Sequence, residues 1–539
     1  MDDWQPLDRW INARMARDGT PGLGIAITDR NETRYLGTFG FADLAARTAV
    51  SPEHAFQNGS IGKTFTALLL LNMSERDEVD LNAPVNQYLT WFEAGNLPER
   101  ITLHHLLTHT AGIIEGSDIA CDGRFEAWAL REMPLLAEPG ERFAYSNLGY
   151  KILGYVIEEI LGEPYSDAVT RRILEPLGMR ESFSPITDQD RDRLAVGYRY
   201  AFSDRPWRPS HGLVPDTWIE TGSGDGSIAV TTGDMAIFTR AILNRGAGII
   251  CDASFTLMSA RPQLVVEDDP DSWYGYGLGS ELVDGHRCYW HDGDMLGYFA
   301  SMQVDPESGI GVSVLSNGPC HVSAIGAEAL RFARKMLSEE APYRLPEIVP
   351  LNVIEPAAEL AGRYTNETET WTFVAEGDRL TLDVAGRSVP VERFVFGPRY
   401  VLLDPELEHE MLMFERDGDG AVTALHHGAR WLGRSDREHP DPPPAPASWQ
   451  AFIGWYQSHN PWQQRFQVYL RRGDLWINWK SGLESRLIER EPGTFQVGDS
   501  PSADRITFDA IADGQALRAV LNGQGYYRAI WSSLPSTRR

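Results

Sequence analysis

The chain is poor in positive charge, and this limits the partners it can have. Its 539 residues include 49 Lys and Arg against 76 Asp and Glu, which gives a net charge of −27. Only four of the cationic residues are lysines: Lys63, Lys151, Lys335 and Lys480. Such a charge repels the phosphates of nucleic acids and of anionic lipids. We therefore expect no nucleic acid and no membrane among its partners.

Apolar runs and cysteines are also scarce. No apolar stretch approaches the roughly 20 residues of a membrane span. The N-terminus, which begins Met1-Asp2-Asp3, lacks the basic and apolar regions of a signal peptide. Four cysteines (Cys121, Cys251, Cys288 and Cys320) lie far apart without metal-site spacing. These features predict a cytoplasmic protein whose cysteines are reduced and buried.

The first part of the chain mixes strands and helices. Residues 24–37 read as a β-hairpin, and strand-like runs return at residues 287–291, 298–304 and 310–315. Helical segments lie between them, and an amphipathic helix is predicted over residues 322–337. Strands at both ends of a segment with helices between them favour an α/β layered domain. We assign this domain to residues 1–342.

The rest of the chain consists of short alternating strands, and it repeats itself. Leu360–Tyr364 (LAGRY) resembles Phe452–Tyr456 (FIGWY), and other pairs recur at a spacing of about 92 to 96 residues. This pattern predicts two antiparallel, all-β barrels of roughly eight strands each. They would span residues 343–438 and 447–539, with a stiff proline-rich linker at residues 439–446.

The strongest chemical signal is Ser60-Ile61-Gly62-Lys63 at the start of an apolar helix. Residues three apart share a helix face, so the hydroxyl and the amine can meet. A lysine in an apolar setting can take the serine proton, and the positive end of the helix dipole favours a developing oxyanion. The structural alternative is a helix-capping serine with a snorkelling lysine.

Other motifs either complete this site or are excluded. Tyr145 and Asn147 offer a phenol and an orienting amide, and Gly293 after His291 permits close backbone approach to a substrate. His105 and His109 stand four apart, but no third metal ligand is evident, so we predict no metal and no cofactor. The glycine-rich segment 222–227 lacks the Lys-Ser/Thr of a phosphate-binding loop, and no Gly-x-Ser-x-Gly occurs.

Taken together, the motifs resemble those of the penicillin-recognising serine hydrolases, specifically the class C β-lactamase-like family. The motifs are Ser60-x-x-Lys63, Tyr145-x-Asn147 and His291-x-Gly293, supported by segments 40–44, 106–112, 139–140, 175–179 and 274–278. The resemblance implies a β-lactamase-like antiparallel sheet flanked by helices. It further implies that the two appended barrels are lipocalin-like, as in three-domain D-aminopeptidases.

The resemblance also implies a role for each site residue. Ser60 is the nucleophile, Lys63 and Tyr145 share general-base work, and Asn147 orients the substrate. His291 occupies the position where β-lactamases usually carry a lysine, and the backbone N–H groups of Ser60 and Asp294 form the oxyanion hole.

The main expectation is a serine peptidase or amidohydrolase that acts through an acyl-enzyme on Ser60 and cleaves small peptides or amides with D-residues or other unusual bonds. It would be of the D-aminopeptidase type or degrade linear non-ribosomal peptides, and its partner would be a small peptide, amide or ester substrate. A histidine is only partly charged near neutral pH, which disfavours the carboxylate of penicillins and D-Ala-D-Ala termini. In the D-aminopeptidases a loop of the last barrel helps to hold a free amine, and Asp499 or Asp504 would serve here. The open alternatives are a carboxylesterase, a β-lactamase or DD-carboxypeptidase, and a non-catalytic penicillin-binding-like module. A homodimer is plausible for such an enzyme.

Overall fold

The computed structural model describes residues 3–95, 100–116, 123–133, 135–264, 269–338, 343–479, 483–498 and 504–529. By their contacts the residues form two units: residues 1–199 with 213–348, and residues 200–212 with 349–539. The bounds of the three predicted domains remain a prediction.

Strands and helices of the first part follow the predicted α/β pattern. The strands are β1 Gly22–Asp29, β2 Thr33–Asp43, β3 Thr48–Ala49, β4 Ala55–Gln57, β5 Tyr198–Tyr200, β6 Leu213–Pro215, β7 Ala229–Thr231, β8 Gln263–Leu264, β9 Trp273–Tyr274, β10 Gly279–Val283, β11 His286–Met295, β12 Tyr298–Asp305 and β13 Ile310–Ser316. The helices are α1 Gln5–Asp18, α2 Gly62–Ser74, α3 Leu103–Leu107, α4 Gly123–Ala129, α5 Asn147–Leu161, α6 Tyr165–Val169, α7 Glu175–Leu177, α8 Thr232–Leu243, α9 Asp252–Met258 and α10 Val322–Leu337.

Within the described residues, nine antiparallel strands form one sheet in the order β3-β2-β1-β13-β12-β11-β10-β9-β8. Alternate side chains of its central strands enter two cores, because successive residues of a strand point to opposite faces. Leu23, Ile25 and Ile27 of β1 pack with α1 and α10 on one face. Ala300 and Met302 of β12 join the core around α2 on the other face. The sheet thus separates the terminal helices from the helix that follows Ser60.

Helix α2 is buried on every side, which explains its run of four leucines. All of its residues from Gly62 to Met73 are buried. Burying each leucine side chain stabilises the fold by roughly 2 kcal/mol. Its two interior threonines do not remain unpaired: Thr64 donates to the Gly277 oxygen at 2.6 Å, and Thr66 donates to the Gly224 oxygen at 2.6 Å. The start of α2 is therefore held rigidly against the rest of the domain.

The C-terminal part forms two closed antiparallel barrels, each of eight strands in the described residues. A short helix, α11 Ala357–Leu360, precedes the first barrel, whose strands are β14 Gly362–Thr365, β15 Thr370–Glu376, β16 Arg379–Val384, β17 Arg387–Arg393, β18 Tyr400–Leu402, β19 Leu412–Arg416, β20 Val422–His427 and β21 Arg430–Arg434. The second barrel has β22 Gly454–Gln457, β23 Arg465–Arg471, β24 Asp474–Asn478, β25 Glu484–Glu491, β26 Thr494–Val497, β27 Arg505–Ala512, β28 Gln515–Leu521 and β29 Gln524–Arg528. The predicted fold class, an α/β domain followed by two eight-stranded barrels, is confirmed.

The sequence repeat corresponds to a repeated structural corner. Tyr364 donates to the Leu360 backbone oxygen at 2.8 Å, and Tyr456 donates to the Phe452 oxygen at 2.9 Å. In both barrels an arginine of the last strand donates to backbone oxygens of the same entry segment; these arginines are Arg434 and Arg528. The repeated sequence therefore marks the segment where each barrel begins and closes.

A buried ionic network joins the two barrels. Glu484 of the second barrel accepts from Arg471 at 2.6 and 3.1 Å and from the Tyr469 hydroxyl at 2.6 Å. His426 of the first barrel lies 3.2 Å from Glu415 and 3.1 Å from Glu484. Burial opposes ionisation of Glu484, but His426 and Arg471 together hold the pKa of Glu484 well below its usual range. Glu484 is therefore the shared anion of this contact.

We expect Glu484→Gln to lower the free energy of unfolding of the barrel unit by about 3 kcal/mol at pH 7, because it leaves Arg471 buried without its counterion. The lowered pKa means that this contribution is complete above the ordinary glutamate value of 4.5 and is lost as the pH falls below it. The difference from wild type should therefore shrink between pH 7 and pH 3.5 in chemical unfolding. Glu491→Gln, at the exposed end of the same strand, is the matched control. Equal stabilities at pH 7 would contradict the assignment.

Two further predictions concern surfaces. Among the described residues, none of the helices has the length and apolar character that a membrane span needs.

The cysteines are only partly buried as predicted. Cys288 and Cys320 are buried free thiols, whereas Cys251 is exposed, so the prediction of burial is wrong for Cys251. Cys251 immediately precedes helix α9 and donates its backbone N–H to Glu75, which leaves its side chain at the surface. Cys121 lies outside the described residues.

Candidate active site

The turn between β4 and α2 presents Ser60. A single 3₁₀ turn, Gly59–Ile61, leads directly into the helix. Gly59 has a φ of +53°, a conformation that is strained for residues with a β-carbon. Ser60 is half-buried, whereas its neighbours Gly59, Ile61 and Gly62 are buried. The hydroxyl of Ser60 is therefore the accessible group of this turn.

Lys63 is fully buried beside Ser60 and has three polar partners. Its Nζ lies 3.0 Å from Ser60 Oγ and donates to Asn147 Oδ1 at 2.7 Å and to the Asp225 backbone oxygen at 2.8 Å. Amide and peptide oxygens only accept hydrogen bonds, so these two partners engage two hydrogens of the amine. The remaining position of the nitrogen faces the Ser60 hydroxyl at 3.0 Å. This is the geometry that a general base requires.

Tyr145 and Asn147 reach the site from the start of α5. Ser146 between them caps the helix by accepting from the Gly149 N–H at 3.0 Å, which fixes the directions of both neighbours. The ring centroid of Tyr145 lies 5.0 Å from Lys63 Nζ, within the range of a cation–π contact. Within the described residues the Tyr145 hydroxyl makes no hydrogen bond. Its hydroxyl is therefore available to a group that enters the site.

His109 supports Tyr145, a role that sequence reasoning missed because it treated this residue only as a possible metal ligand. The two ring centroids are 4.3 Å apart. His109 Nδ1 accepts from the Ser146 N–H at 3.0 Å, and burial together with the charge of Lys63 holds the pKa of His109 well below its usual value. Its φ of +55° is uncommon for a residue with a β-carbon and indicates a position held by its surroundings. The sequence feature that could have indicated this role is segment 106–112, which is part of the resemblance to the class C β-lactamase-like family.

Two properties of His291 differ from those predicted: its position in the strand and the charge of its ring. It lies within β11 rather than at a strand end, and it is buried. Its Nδ1 donates to the Asp292 backbone oxygen at 2.6 Å, so its Nε2 accepts from the Tyr274 hydroxyl at 2.7 Å. Burial and the charge of Lys63 lower the pKa of His291 to about 3. His291 is therefore neutral at physiological pH, and both of its ring nitrogens are engaged.

The glycine-rich segment 222–227 is a wall of the site rather than a phosphate cradle. Its Asp225 oxygen accepts from Lys63, as described above. A β-carbon on Gly226 would lie 2.8 Å from the Gly59 oxygen, and one on Gly62 would lie 2.7 Å from the Gly226 Cα. Glycine is needed here because this backbone packs directly against the turn that presents Ser60. A backbone acceptor of this kind has no signature in the sequence.

The backbone around Gly293 lies equally close to the turn. A β-carbon on Gly293 would lie 1.9 Å from the Asn58 oxygen and 3.2 Å from the Ser60 nitrogen. One on Gly59 would lie 2.6 Å from the Asp294 nitrogen. The two N–H groups expected to form the oxyanion hole, those of Ser60 and Asp294, thus belong to segments in direct contact.

We expect Gly293→Ala to reduce kcat by about 100-fold or more, because the added methyl must push Asn58 and Ser60 away from β11. Overpacking of this kind also costs about 1–3 kcal/mol of stability. Hydrolysis rates and thermal unfolding of the purified variant measure both effects. Gly233→Ala is the matched control, since nothing lies within 3.8 Å of its added carbon. Wild-type rates in Gly293→Ala would show that this contact does not matter for turnover.

A second lysine is buried behind the site. Lys151 follows Asn147 by one turn of α5, and its Nζ lies 3.9 Å from Glu126 Oε2. Burial lowers the pKa of Lys151, Asp225 opposes that shift, and the charge of Lys63 adds to it. Lys151 therefore belongs to the electrostatic surroundings of Lys63, which the sequence analysis did not recognise.

The remaining predictions concern a metal site and an amine-binding loop of the second barrel. Among the described residues, no group of three His, Cys, Asp or Glu side chains is arranged to hold a metal ion. Asp499 lies outside the described residues. Asp504 accepts from Asn522 Nδ2 at 2.8 Å in the second barrel.

Comparison with known proteins finds similar proteins that cover 58% to 80% of this chain. Penicillin-binding protein 4 of Amycolatopsis lactamdurans is 28% identical over 372 residues, which cover 64% of this chain and 93% of that protein. Unguisins hydrolase ungD' of Aspergillus campestris is 27% identical over 339 residues, which cover 58% of this chain and 60% of that protein. The structure of the octameric penicillin-binding protein homologue from Pyrococcus abyssi is similar with a TM-score of 0.59 and 26% identity, over 80% of this chain and 99% of that one.

The family model for β-lactamase matches residues 7–332, the region that contains Ser60, Lys63, Tyr145 and His291. Since this match covers more than half of the 539 residues, the chain belongs to the β-lactamase family of serine hydrolases.

Proposed function

We propose that this protein cleaves amide or peptide bonds of small peptides or amides through an acyl-enzyme on Ser60. The observation that carries the proposal is the arrangement of Lys63. Its Nζ is 3.0 Å from Ser60 Oγ while two carbonyl oxygens engage its other hydrogens. Nucleophilic serine catalysis requires such a base within hydrogen-bond reach of the hydroxyl.

The proposed reaction uses these contacts. Ser60 Oγ attacks the substrate carbonyl carbon as its proton passes to Lys63 Nζ, and the oxyanion is held by the N–H groups of Ser60 and Asp294. The carbon–nitrogen bond breaks, and the leaving amine takes a proton through Tyr145, whose hydroxyl makes no hydrogen bond within the described residues. Water then attacks the ester on Ser60, which releases the acid and restores the hydroxyl.

An extended peptide substrate can lie along β11. Strand β10 pairs with β11 only from His286 to Trp290, whereas β12 pairs with it as far as Met295. In the described residues, the segment His291–Met295 therefore has a strand on one edge only. Its open edge offers main-chain hydrogen bonds that bind a substrate in the manner of an added strand.

The site favours substrates other than penicillins. A neutral His291 with both ring nitrogens engaged offers no positive charge to a carboxylate, unlike the lysine usual at this position. The two C-terminal barrels and the His-x-Gly motif resemble the three-domain D-aminopeptidases, and the relative named Unguisins hydrolase supports a hydrolase rather than a penicillin sensor. We therefore propose a peptidase of the D-aminopeptidase type.

The test is hydrolysis of D- and L-alanine p-nitroanilides, p-nitrophenyl butyrate and nitrocefin, with Ser60→Ala as the blank. We expect Ser60-dependent cleavage of the anilides, faster for the D form. Cleavage of the ester alone would identify a carboxylesterase with the same residues. Rapid turnover of nitrocefin would contradict the argument from His291 and identify a β-lactamase.

A further inference from the structure

The turn that supplies the backbone acceptor of Lys63 consists largely of glycine. Residues 224–226 are Gly-Asp-Gly, and their backbone packs closely against α2 and α5. A β-carbon on Gly224 would lie 2.7 Å from the Tyr150 oxygen, and the corresponding contacts of Gly226 are described above. Glycine loses more conformational freedom on folding than any other residue. Such a turn is therefore rigid only if the side chains in and beside it hold it.

Ser227 closes this turn with its side chain. It is buried, and its Oγ accepts from the Ser223 N–H at 2.8 Å, which bridges the two ends of the Gly-Asp-Gly sequence. The same oxygen lies 2.5 Å from Thr221 Oγ1. The Ser227 backbone oxygen accepts from Ser184 Oγ at 2.8 Å, which joins the turn to a neighbouring segment. The two ends of the turn are therefore fixed by hydroxyl groups.

The carboxylate of Asp225 fixes the middle of the turn. It accepts from Ser223 Oγ at 2.5 Å, while the backbone oxygen of Asp225 accepts from Lys63 Nζ at 2.8 Å. The preceding backbone oxygen, that of Gly224, accepts from Thr66 Oγ1 at 2.6 Å. Lys63 and Thr66 are three apart on α2, so two successive carbonyls of the turn meet one face of the helix. The direction of the Asp225 oxygen is thus fixed by contacts on both sides of it.

We infer that Ser227 and the carboxylate of Asp225 are positioning residues for the general base. Together with Ser223 they hold the Asp225 oxygen where it engages one hydrogen of Lys63, so that the nitrogen faces Ser60. The inference rests on the proposed function. A reacting group that is misplaced by about 1 Å can lose about 100-fold in rate, so the rigidity of this acceptor affects turnover. Neither side chain needs to touch the substrate for this effect.

The test uses Ser227→Ala and Asp225→Ala, which remove the side-chain bridges but keep the backbone oxygen. On the substrate that the wild-type protein cleaves fastest, each should lower kcat about 10- to 100-fold and change KM less than about 3-fold. Asp225→Asn keeps an acceptor for Ser223 Oγ and should stay within about 3-fold of the wild-type rate. Ser316→Ala, which removes a buried hydroxyl from β13, is the control and should keep the wild-type rate.

A double-mutant cycle with Lys63→Ala separates positioning of the base from damage to the fold. In the Lys63→Ala background there is no amine to position, so Ser227→Ala and Asp225→Ala should change the residual rate less than about 2-fold. Where turnover is slow, mass spectrometry of acylated Ser60 over several hours gives this rate. Thermal unfolding of the same samples shows that the compared proteins are folded.

Three results would overturn the inference while the proposed function stands. Equal losses with and without Lys63 would mean general damage to the turn. A loss in Asp225→Asn as large as in Asp225→Ala would mean that the charge matters rather than the bond to Ser223. Wild-type kcat in both alanine variants would mean that the bridges do not affect the base. If the wild-type protein shows no Ser60-dependent hydrolysis, the proposed function fails and the inference fails with it.

Discussion

Replacing Ser60 with alanine is expected to reduce kcat about 10⁴-fold or more while the protein remains folded. In the proposed reaction the substitution removes the atom that forms the acyl-enzyme, and the methyl group that replaces it cannot act as a nucleophile. In the described residues Ser60 Oγ contacts Lys63 Nζ, so the lost hydrogen bond costs only about 1 kcal/mol. In a domain of this size, that loss corresponds to a shift in Tm of about 2 °C.

The measurement is hydrolysis of the anilide or ester that the wild-type protein prefers, with thermal unfolding recorded on the same samples. Mass spectrometry of the wild-type protein with a slowly deacylating substrate should show one added acyl group, and the Ser60→Ala protein should show none. Ser308→Ala, in the exposed β12–β13 turn, controls for the loss of a hydroxyl. If Ser60→Ala keeps more than about a hundredth of the wild-type rate, Ser60 is not the nucleophile.

The contact between Ser60 and Lys63 was predictable because it is local. The two residues lie three apart on a helical segment, and the geometry of a helix brings such side chains together. Lys63 and Asn147 are 84 positions apart, so their contact depends on how α2 and α5 pack. Residue types alone could suggest Asn147 as an orienting amide but not as the acceptor of Lys63. The resemblance to a known family supplied that residue, and the structure supplied its partner.

The charge of His291 could not be derived from its sequence neighbours. The unperturbed pKa of histidine predicts a partly charged ring, but burial and the charge of Lys63 determine its actual state. The Tyr274 hydroxyl that occupies its Nε2 lies on another strand, β9. The same limit applies to Asp225, which acts through its backbone oxygen. Side-chain patterns carry no information about such an acceptor.

The barrels were predictable as folds but not as a connected pair. Alternation with a period of two, repeated with similar turns, was enough to predict eight strands in each copy. The ionic network between the copies joins His426 to Glu484, which are 58 positions apart and lie on different barrels. No local pattern distinguishes these two residues from the exposed charges of neighbouring strands. Only the packing of one barrel against the other identifies them.

Replacing Lys63 with alanine should reduce kcat/KM about 10³- to 10⁴-fold, the contribution expected from a positioned general base and its orienting contacts. The lost amine also leaves Asn147 Oδ1 and the Asp225 oxygen without their donor. Lys63→Arg should be nearly as inactive, because a guanidinium keeps the charge but does not give up its proton. The pair of variants therefore separates the function of a base from that of a fixed charge.

Chemical rescue provides the direct test of the base. Lys63→Ala leaves a cavity beside Ser60, since the lysine side chain is fully buried. A small primary amine such as ethylamine should enter it, accept the Ser60 proton and restore part of the rate, and the restored rate should rise with pH as more of the amine is neutral. Lys335→Ala, on helix α10, should show normal rates and no response to the amine. Wild-type activity in Lys63→Arg would contradict this mechanism, because it would mean that Lys63 contributes a charge and not a proton acceptor.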